Sequence, residues 1–193
     1  MMGKLVQGVG VNDGKYPAKV NGKNVTEYEF WKALLRRCHC PKYQQRQPTY
    51  VGCSVSEGFK NYAYFYEWCQ NQIGFGQKGF ELDKDLLLKG NKVYSEDTCL
   101  FLPSELNLLL IYNKASRGTL PVGVSTYRGK FSAQCYRGKP FKRIGVFDTP
   151  EEAFQAYKEV KESYIKSQAQ KWRSFIDVRA YAVLMTYEVL IAD

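Results

Sequence analysis

The chain has 193 residues, 45% apolar and 15% aromatic, enough for a real core; this excludes wholesale disorder and a peptide that needs disulfide staples. Lys and Arg outnumber Asp and Glu by 28 to 19, and a net charge of +9 favours a polyanion or an acidic protein surface as partner. The start MMGKLVQGVGVND has no secretion-signal pattern and no apolar run nears the roughly eighteen residues of a membrane span, so no membrane is expected, the six cysteines are expected as reduced thiols, and the location as cytoplasmic.

Residues 1–25 are rich in glycine and read as loop with a short hairpin. Thr26 as cap, Glu27 and Glu29 in a first turn, and the stripe Phe30, Trp31, Leu34, Leu35, Cys38 predict a helix over Glu27–Arg37. CHCPKYQQRQPTY reads as a polar connector, and the alternation Val51, Cys53, Val55 as a short strand. Aromatic residues at Phe59, Tyr62, Phe65, Tyr66 and Cys69 mark one amphipathic helix from Phe59 to Gln72. Strands are expected over Phe80–Asp83 and Thr98–Leu102, separated by a loop over Lys89–Asp97, and a helix starting at Pro103–Glu105 buries Leu106, Leu109 and Leu110.

After a linker at 113–118, the stretches LPVGVSTYR, KFSAQCYR and KRIGVFD predict a three-stranded meander with turns at Arg128-Gly129 and Arg137-Gly138. Thr149 caps a following helix, with Glu151 and Glu152 in its first turn and Phe154, Tyr157, Val160 and Tyr164 on its buried face. The apolar stretch RAYAVLMTYEVLIA reads as a C-terminal helix that packs on the body or on a second copy, which leaves an oligomer open. The expected division is 1–25, 26–113, 114–172 and 173–193, in an α+β fold.

Two constellations carry chemistry. Asp83 ends a strand, Asp97 precedes the next, and Asn107 lies on the helix after it; an acidic group and a helix-borne amide converging in this way suit one divalent metal and phosphodiester hydrolysis, while a capped hairpin with polar loop residues explains the same pattern. The second is one-sided charge. Between Lys114 and Phe147 stand Lys114, Arg117, Arg128, Lys130, Arg137, Lys139, Lys142 and Arg143 without one Asp or Glu, and a twisted basic sheet face fits duplex DNA, with a solvated face as the plain alternative. Cys38-His39-Cys40 lacks a second paired knuckle, so core thiols and no structural zinc are expected. Acid at Asp148, Glu151 and Glu152 is explained by the helix start, and Gly8 and Gly10 do not form a phosphate-cradling loop.

Residues 26–112 resemble phage-type HNH homing-endonuclease relatives through Arg37-Cys38, Gly52-Cys53-Ser54-Val55, Trp68, Leu82-Asp83-Lys84-Asp85, Gly90-Asn91, Tyr94-Ser95, Cys99 and Asn107. The resemblance implies an HNH-like strand-strand-helix module in which Asp83 and Asn107 share a magnesium ion, Lys84 stands at the position of the histidine base and Asp97 at that of the loop residue orienting it. A lysine, with an ordinary pKa of about 10.4, accepts no proton at neutral pH. Either burial depresses Lys84, or a neighbour such as Asp85 takes the base role, or cleavage has been lost; loss is the favoured expectation, with Lys84 kept as a cationic phosphate anchor. Residues 118–161 resemble the Apetala/ethylene-response type of DNA-binding domain through Gly123-Val124, Arg128-Gly129-Lys130-Phe131, Ile144-Gly145-Val146-Phe147 and Thr149-Pro150-Glu151-Glu152-Ala153 with Ala156-Tyr157. That resemblance implies DNA contacts from Tyr127, Arg128, Lys130, Gln134, Tyr136, Arg137, Lys142 and Arg143. The expectation is a double-stranded-DNA-binding protein, sequence-tolerant or sequence-specific, on a degenerate HNH fold in a bacterial host cytoplasm. A magnesium-dependent endonuclease or nickase, and a phage-encoded inhibitor of a host protein, are the alternatives.

Overall fold

A computed structural model describes residues 5–112, 118–135, 142–191 and 193, together with the backbone but not the side chain of Lys142. The fold is α+β with small sheets, and the chain divides into two compact units: one runs to Ser104 and includes Phe175–Ala180, and the other comprises Glu105–Ser174 and Tyr181–Asp193.

In the first unit, β1 (Lys19–Val20) and β2 (Lys23–Asn24) form the short hairpin, closed by Asn21 and Gly22 with φ of 50° and 76°. Two consecutive positive φ angles are what a two-residue hairpin turn of this hand needs, and Asn-Gly tolerates them best. Helix α1 (Thr26–His39) follows, two residues longer at its C-terminus than the expected Glu27–Arg37, and it buries Trp31, Leu34, Leu35 and Cys38. Val25 rather than Thr26 is its N-cap and offers no side-chain bond, so the acidic Glu27 and Glu29 carry the favourable interaction with the helix start. The polar connector contains α2 (Pro41–Arg46) and a 3₁₀ turn at Pro48–Tyr50, and only β3 (Ser54–Val55) of the expected strand forms, because Cys53 N–H turns back to the Tyr50 carbonyl at 3.1 Å.

The single helix expected over Phe59–Gln72 is two, α3 (Glu57–Lys60) and α4 (Tyr62–Gln70). The break has a cause far away in sequence. Val11 inserts its backbone at Asn61, donating to the Lys60 carbonyl at 2.9 Å and accepting from Tyr62 N–H at 2.9 Å, while the Asn61 side chain caps α4 by accepting from Tyr64 N–H. Strand β4 (Phe80–Asp83) pairs antiparallel with β6 (Leu100–Pro103), and β5 (Val93–Tyr94), inside the expected loop, pairs parallel with β3. Pro103 completes β6 opposite Phe80, so α5 (Ser104–Leu109) starts one residue later than expected. Trp31, Phe59, Tyr62, Phe65 and Phe101 are fully buried together with Leu34 and Leu35, and Trp31 Nε1 donates to the Phe59 carbonyl at 2.8 Å, which satisfies the indole inside the apolar core.

In the second unit, β7 (Val124–Tyr127), β8 (Lys130–Cys135) and β9 (Lys142–Phe147) form the antiparallel meander in sequential order. The Arg137-Gly138 turn lies outside the described residues, as do residues 113–117 of the linker expected at 113–118. Helix α6 (Pro150–Trp172) opens on a capping box: Thr149 accepts from Glu152 N–H and Glu152 returns to Thr149 N–H. Val124, Ala133 and Cys135 bury one sheet face against Ala153, Phe154 and Tyr157. Farther along α6 the buried face runs through Lys161, Ile165 and Ala169, and the expected Val160 and Tyr164 are half-buried.

The C-terminal stretch is helical only as α7 (Val178–Met185), shorter than the expected helix over 173–193. Beyond it, Val189 joins the core of the sheet unit, its N–H donating to Glu162 and its carbonyl accepting from Lys158 Nζ. Among the described residues no helix is long and apolar enough to cross a membrane.

Candidate nucleic-acid interface

The meander presents two different faces because its side chains alternate. Register pairs Tyr127 with Lys130, Ser125 with Ser132 and Ser132 with Val146, and these residues lie on the face away from α6; Val124, Ala133, Phe131 and Phe147 lie on the face toward it. Strict alternation along β9 would put Ile144 outward and Arg143 inward. A β-bulge reverses both. Ala133 pairs with Gly145 but Gln134 pairs with Arg143, so Ile144 is the extra residue on β9; it joins the core, and Arg143 faces outward beside Gln134.

Tyr127 is the centre of the outward face. The Arg143 guanidinium lies 4.0 Å from its ring centroid and the Arg128 guanidinium 5.4 Å, both within cation–π range. Arg128 and Gly129 have φ of 50° and 77°, the left-handed pair that lets a two-residue turn follow the strand twist, so the β7–β8 turn itself holds Arg128 beside the ring. The Arg143–Tyr127 contact passes over the central strand, whose outward residue between Lys130 and Gln134 is Ser132. That serine has no exposure, and its hydroxyl has no hydrogen-bond partner. Gln134 Nε2 donates weakly to Ser125 Oγ at 3.5 Å.

Lys130 is exposed but carries a carboxylate, Asp148 at 2.7 Å, which raises its pKa through the hydrogen bond and the charge. An exposed pair of this kind contributes little and is screened by salt, so the cation is readily transferred to another anion. Among the expected contact residues, the structure therefore brings Tyr127, Arg128, Lys130, Gln134 and Arg143 to one face and its edge turn. Tyr136 and Arg137 lie outside the described residues, and Lys142 is described only as the residue that starts β9 opposite Cys135. The sequence reading missed Ser125 and Ser132, although period-two counting from Lys130 and Gln134 reaches Ser132.

The other constellation is arranged differently. β4 and β6 pair and α5 follows β6, but β5 intervenes in the chain and pairs with β3. Asp83, Lys84 and Asp97 belong to the first unit and Asn107, on α5, to the second. Asp83 Oδ1 accepts from the N–H groups of Asp85 at 2.9 Å and Leu86 at 2.8 Å, so the carboxylate shapes the turn after β4. Burial pushes its pKa up, against the lowering effect of those two donors.

Lys84, expected as a cationic phosphate anchor, is turned into its own loop. It is 7% exposed, and its ammonium donates to Asp85 Oδ1 at 2.6 Å and to the Asn91 carbonyl at 2.9 Å. Asn91 answers with its side-chain amide to the Lys84 carbonyl at 2.8 Å, closing a reciprocal clasp across the loop. Asp97 is exposed in the turn before β6 and presents its carbonyl to Arg179 Nη1 at 3.3 Å. Among the described residues no three His, Cys, Asp or Glu gather as a metal site. Cys38, Cys53, Cys69, Cys99 and Cys135 are buried free thiols, and burial pushes those of Cys38 and Cys99 up to about 12, which keeps them protonated.

The cost of holding Asp83 charged inside the turn is measurable. Asp83→Asn keeps the Oδ1 acceptor and removes the charge, so the urea midpoint at pH 7 should rise. Because the folded carboxyl has a pKa above the ordinary 3.8, the cost exists where both states are ionised and disappears where both are protonated; the gain from Asn should vanish below about pH 3.8. A midpoint that falls at pH 7 would refute this account of the turn.

No family model, curated protein or solved structure matches the chain.

Proposed function

We propose that the protein binds double-stranded DNA through the outward face of the β7–β8–β9 sheet. The observation that carries this reading is the Arg143 guanidinium held 4.0 Å over Tyr127 on the face away from α6, with Arg128 at the adjoining turn. Guanidinium groups pre-positioned on an aromatic lose little freedom when they meet phosphate or the edge of guanine, and antiparallel sheet faces are able to enter the major groove. Tyr127 supplies an apolar surface for sugar and thymine methyl groups. Ser132, on the same face, has a buried hydroxyl without a hydrogen-bond partner. The basic residues of 114–147 supply the charge that makes binding strong and salt-dependent.

Cleavage is the weaker reading. The HNH resemblance would assign magnesium, and with it the stabilising of charge on the scissile phosphate, to Asp83 and Asn107, which belong to different compact units. Yet Asp83 Oδ1 is occupied by two backbone donors, and Lys84, at the position of the base, is a cation committed to Asp85 and Asn91. We therefore propose a DNA-binding protein in which the HNH-like part no longer cuts, rather than a magnesium-dependent nickase or endonuclease.

The test is binding of the full chain to labelled duplex DNA over a salt series. Arg143→Ala should cost about 1–3 kcal/mol, and if Arg143 meets a phosphate the slope of log K against log salt should fall by about 1. Absence of any DNA affinity in low salt would sink the proposal, as would an Arg143→Ala protein that binds like the parent.

A further inference from the structure

We infer that the corner between α1 and α2 is a second contact surface for duplex DNA, one that grips the phosphate backbone. The inference rests on the DNA-binding reading but uses none of the residues that carry it.

Between Glu29 and Glu57 the chain has no acidic residue, and Lys32, Arg36, Arg37, Lys42 and Arg46 fall in that interval. The fold gathers them. Gln44 Nε2 donates to the carbonyls of Arg37 at 3.1 Å, Cys38 at 2.9 Å and Tyr50 at 3.3 Å, which ties the end of α1 to α2 and the 3₁₀ turn. Across this corner the Arg36 guanidinium lies 4.6 Å from the Tyr43 ring centroid and that of Arg37 5.3 Å from Tyr50. Arg37 also donates to the Tyr94 hydroxyl at 3.3 Å, while its Nε is buried without a partner. Arg36, Lys42 and Arg46 are exposed, with Lys42 and Arg46 one turn apart on α2 and Arg36 stacked on the intervening Tyr43.

Helix electrostatics explains only part of this. Arg36 and Arg37 sit in the last turn of α1, where cations are favoured, and Arg46 ends α2 in the same way. Lys42 is the second residue of α2, where the helix dipole opposes a cation. Elsewhere in this unit Lys15, Lys60 and Arg179 have carboxylate partners in Glu67, Glu57 and Asp177, while the exposed Lys19 and Lys23 lie in the β1–β2 hairpin, outside the corner. Lys32 has Glu29 at 3.6 Å, but Arg36, Arg37, Lys42 and Arg46 have no carboxylate within ion-pair distance among the described residues. Unpaired cations beside pre-stacked planar guanidinium groups fit a chain of regularly spaced phosphates, which arginine forks bind through two oxygens.

The experiment compares three variants of the full chain, of which the corner and lysine-control triple substitutions are matched in charge, on one labelled duplex of random sequence across a salt series. They are R36Q/K42Q/R46Q at the corner, Arg143→Gln on the sheet, and K19Q/K23Q/K166Q at exposed lysines outside both surfaces. Loss of three phosphate contacts should lower the salt slope of the corner variant by about 2.7, at about 0.9 per contact, whereas the lysine control should shift it by less than about 1. A corner variant that matches the control overturns the inference. If Arg143→Gln weakens binding in that same experiment, the sheet reading survives while the corner falls; if the parent protein has no DNA affinity, both fall. Displacement of the duplex by polyglutamate at matched charge, lost in the corner variant alone, marks a patch for acidic proteins and also overturns the assignment.

Discussion

Asn91→Ala should cost the protein about 3 kcal/mol, read as a fall in the urea midpoint at unchanged slope. Asn91 is 8% exposed, and its amide donates to the carbonyls of Lys84 at 2.8 Å and Val93 at 2.7 Å while its Oδ1 accepts from Val93 N–H at 3.0 Å. Truncation leaves the Lys84 carbonyl and the Val93 N–H without partners in a closed loop, at about 1–3 kcal/mol for each orphaned group. The Val93 carbonyl is spared, because the Thr98 hydroxyl donates to it at 3.0 Å. The damage spreads further than the hydrogen bonds. The Asn91 carbonyl accepts from the Lys84 ammonium, and an unclasped loop releases a buried cation and the β5 strand that pairs with β3. A midpoint shift below about 1 kcal/mol would mean that the loop rearranges to recover its partners, and the clasp would then have no structural weight.

That clasp also explains why the turn after β4 is only half legible in the sequence. The turn after β4 could be read from Leu82-Asp83-Lys84-Asp85, and the strand bounds of β4 follow from apolar alternation. Whether Lys84 points out to phosphate or inward to its own loop depends on Asn91, seven residues on, and no local pattern reports that. The same limit applies to the aromatic helix. Spacing from Phe59 to Cys69 is continuous, but the break at Asn61 is imposed by the backbone of Val11, which is distant in sequence.

Where the determinants are local, the reading carried over. Thr149-Pro150-Glu151-Glu152 contains every group of the capping box, and Arg128-Gly129 contains both residues of the turn. For the proposed interface, alternation along β8 is enough to put Lys130 and Gln134 on one face. It is not enough for Arg143. Counting by twos from Phe147, a core residue, sends Arg143 inward, and only the bulge at Ile144 corrects the parity. Gly145, beside the bulge, was the available signal, since a glycine inside a strand pattern often marks such a site.

The sheet face depends on one glycine, and Gly123→Ala should cost about 2–5 kcal/mol. Gly123 precedes β7 with φ of +75°, a left-handed backbone that charges alanine about 1–2 kcal/mol. A Cβ built there would lie 2.2–2.4 Å from three atoms of the Tyr157 ring, which is buried in the core between sheet and α6. Such overpacking adds about 1–3 kcal/mol, because the ring has packed neighbours and cannot retreat without moving the helix or the strand. Either movement also strains the bond from Gln134 N–H to the Gly123 carbonyl at 2.9 Å, and Gln134 lies beside Arg143 on the outward face. The two costs separate in a double-mutant cycle. Tyr157→Leu in the Gly123→Ala background should recover the steric part and leave the backbone part of about 1–2 kcal/mol. In urea that unfolds this unit in the variant but not in the parent, the variant should lose DNA affinity if the outward sheet face binds DNA; affinity kept under those conditions would place the DNA site elsewhere.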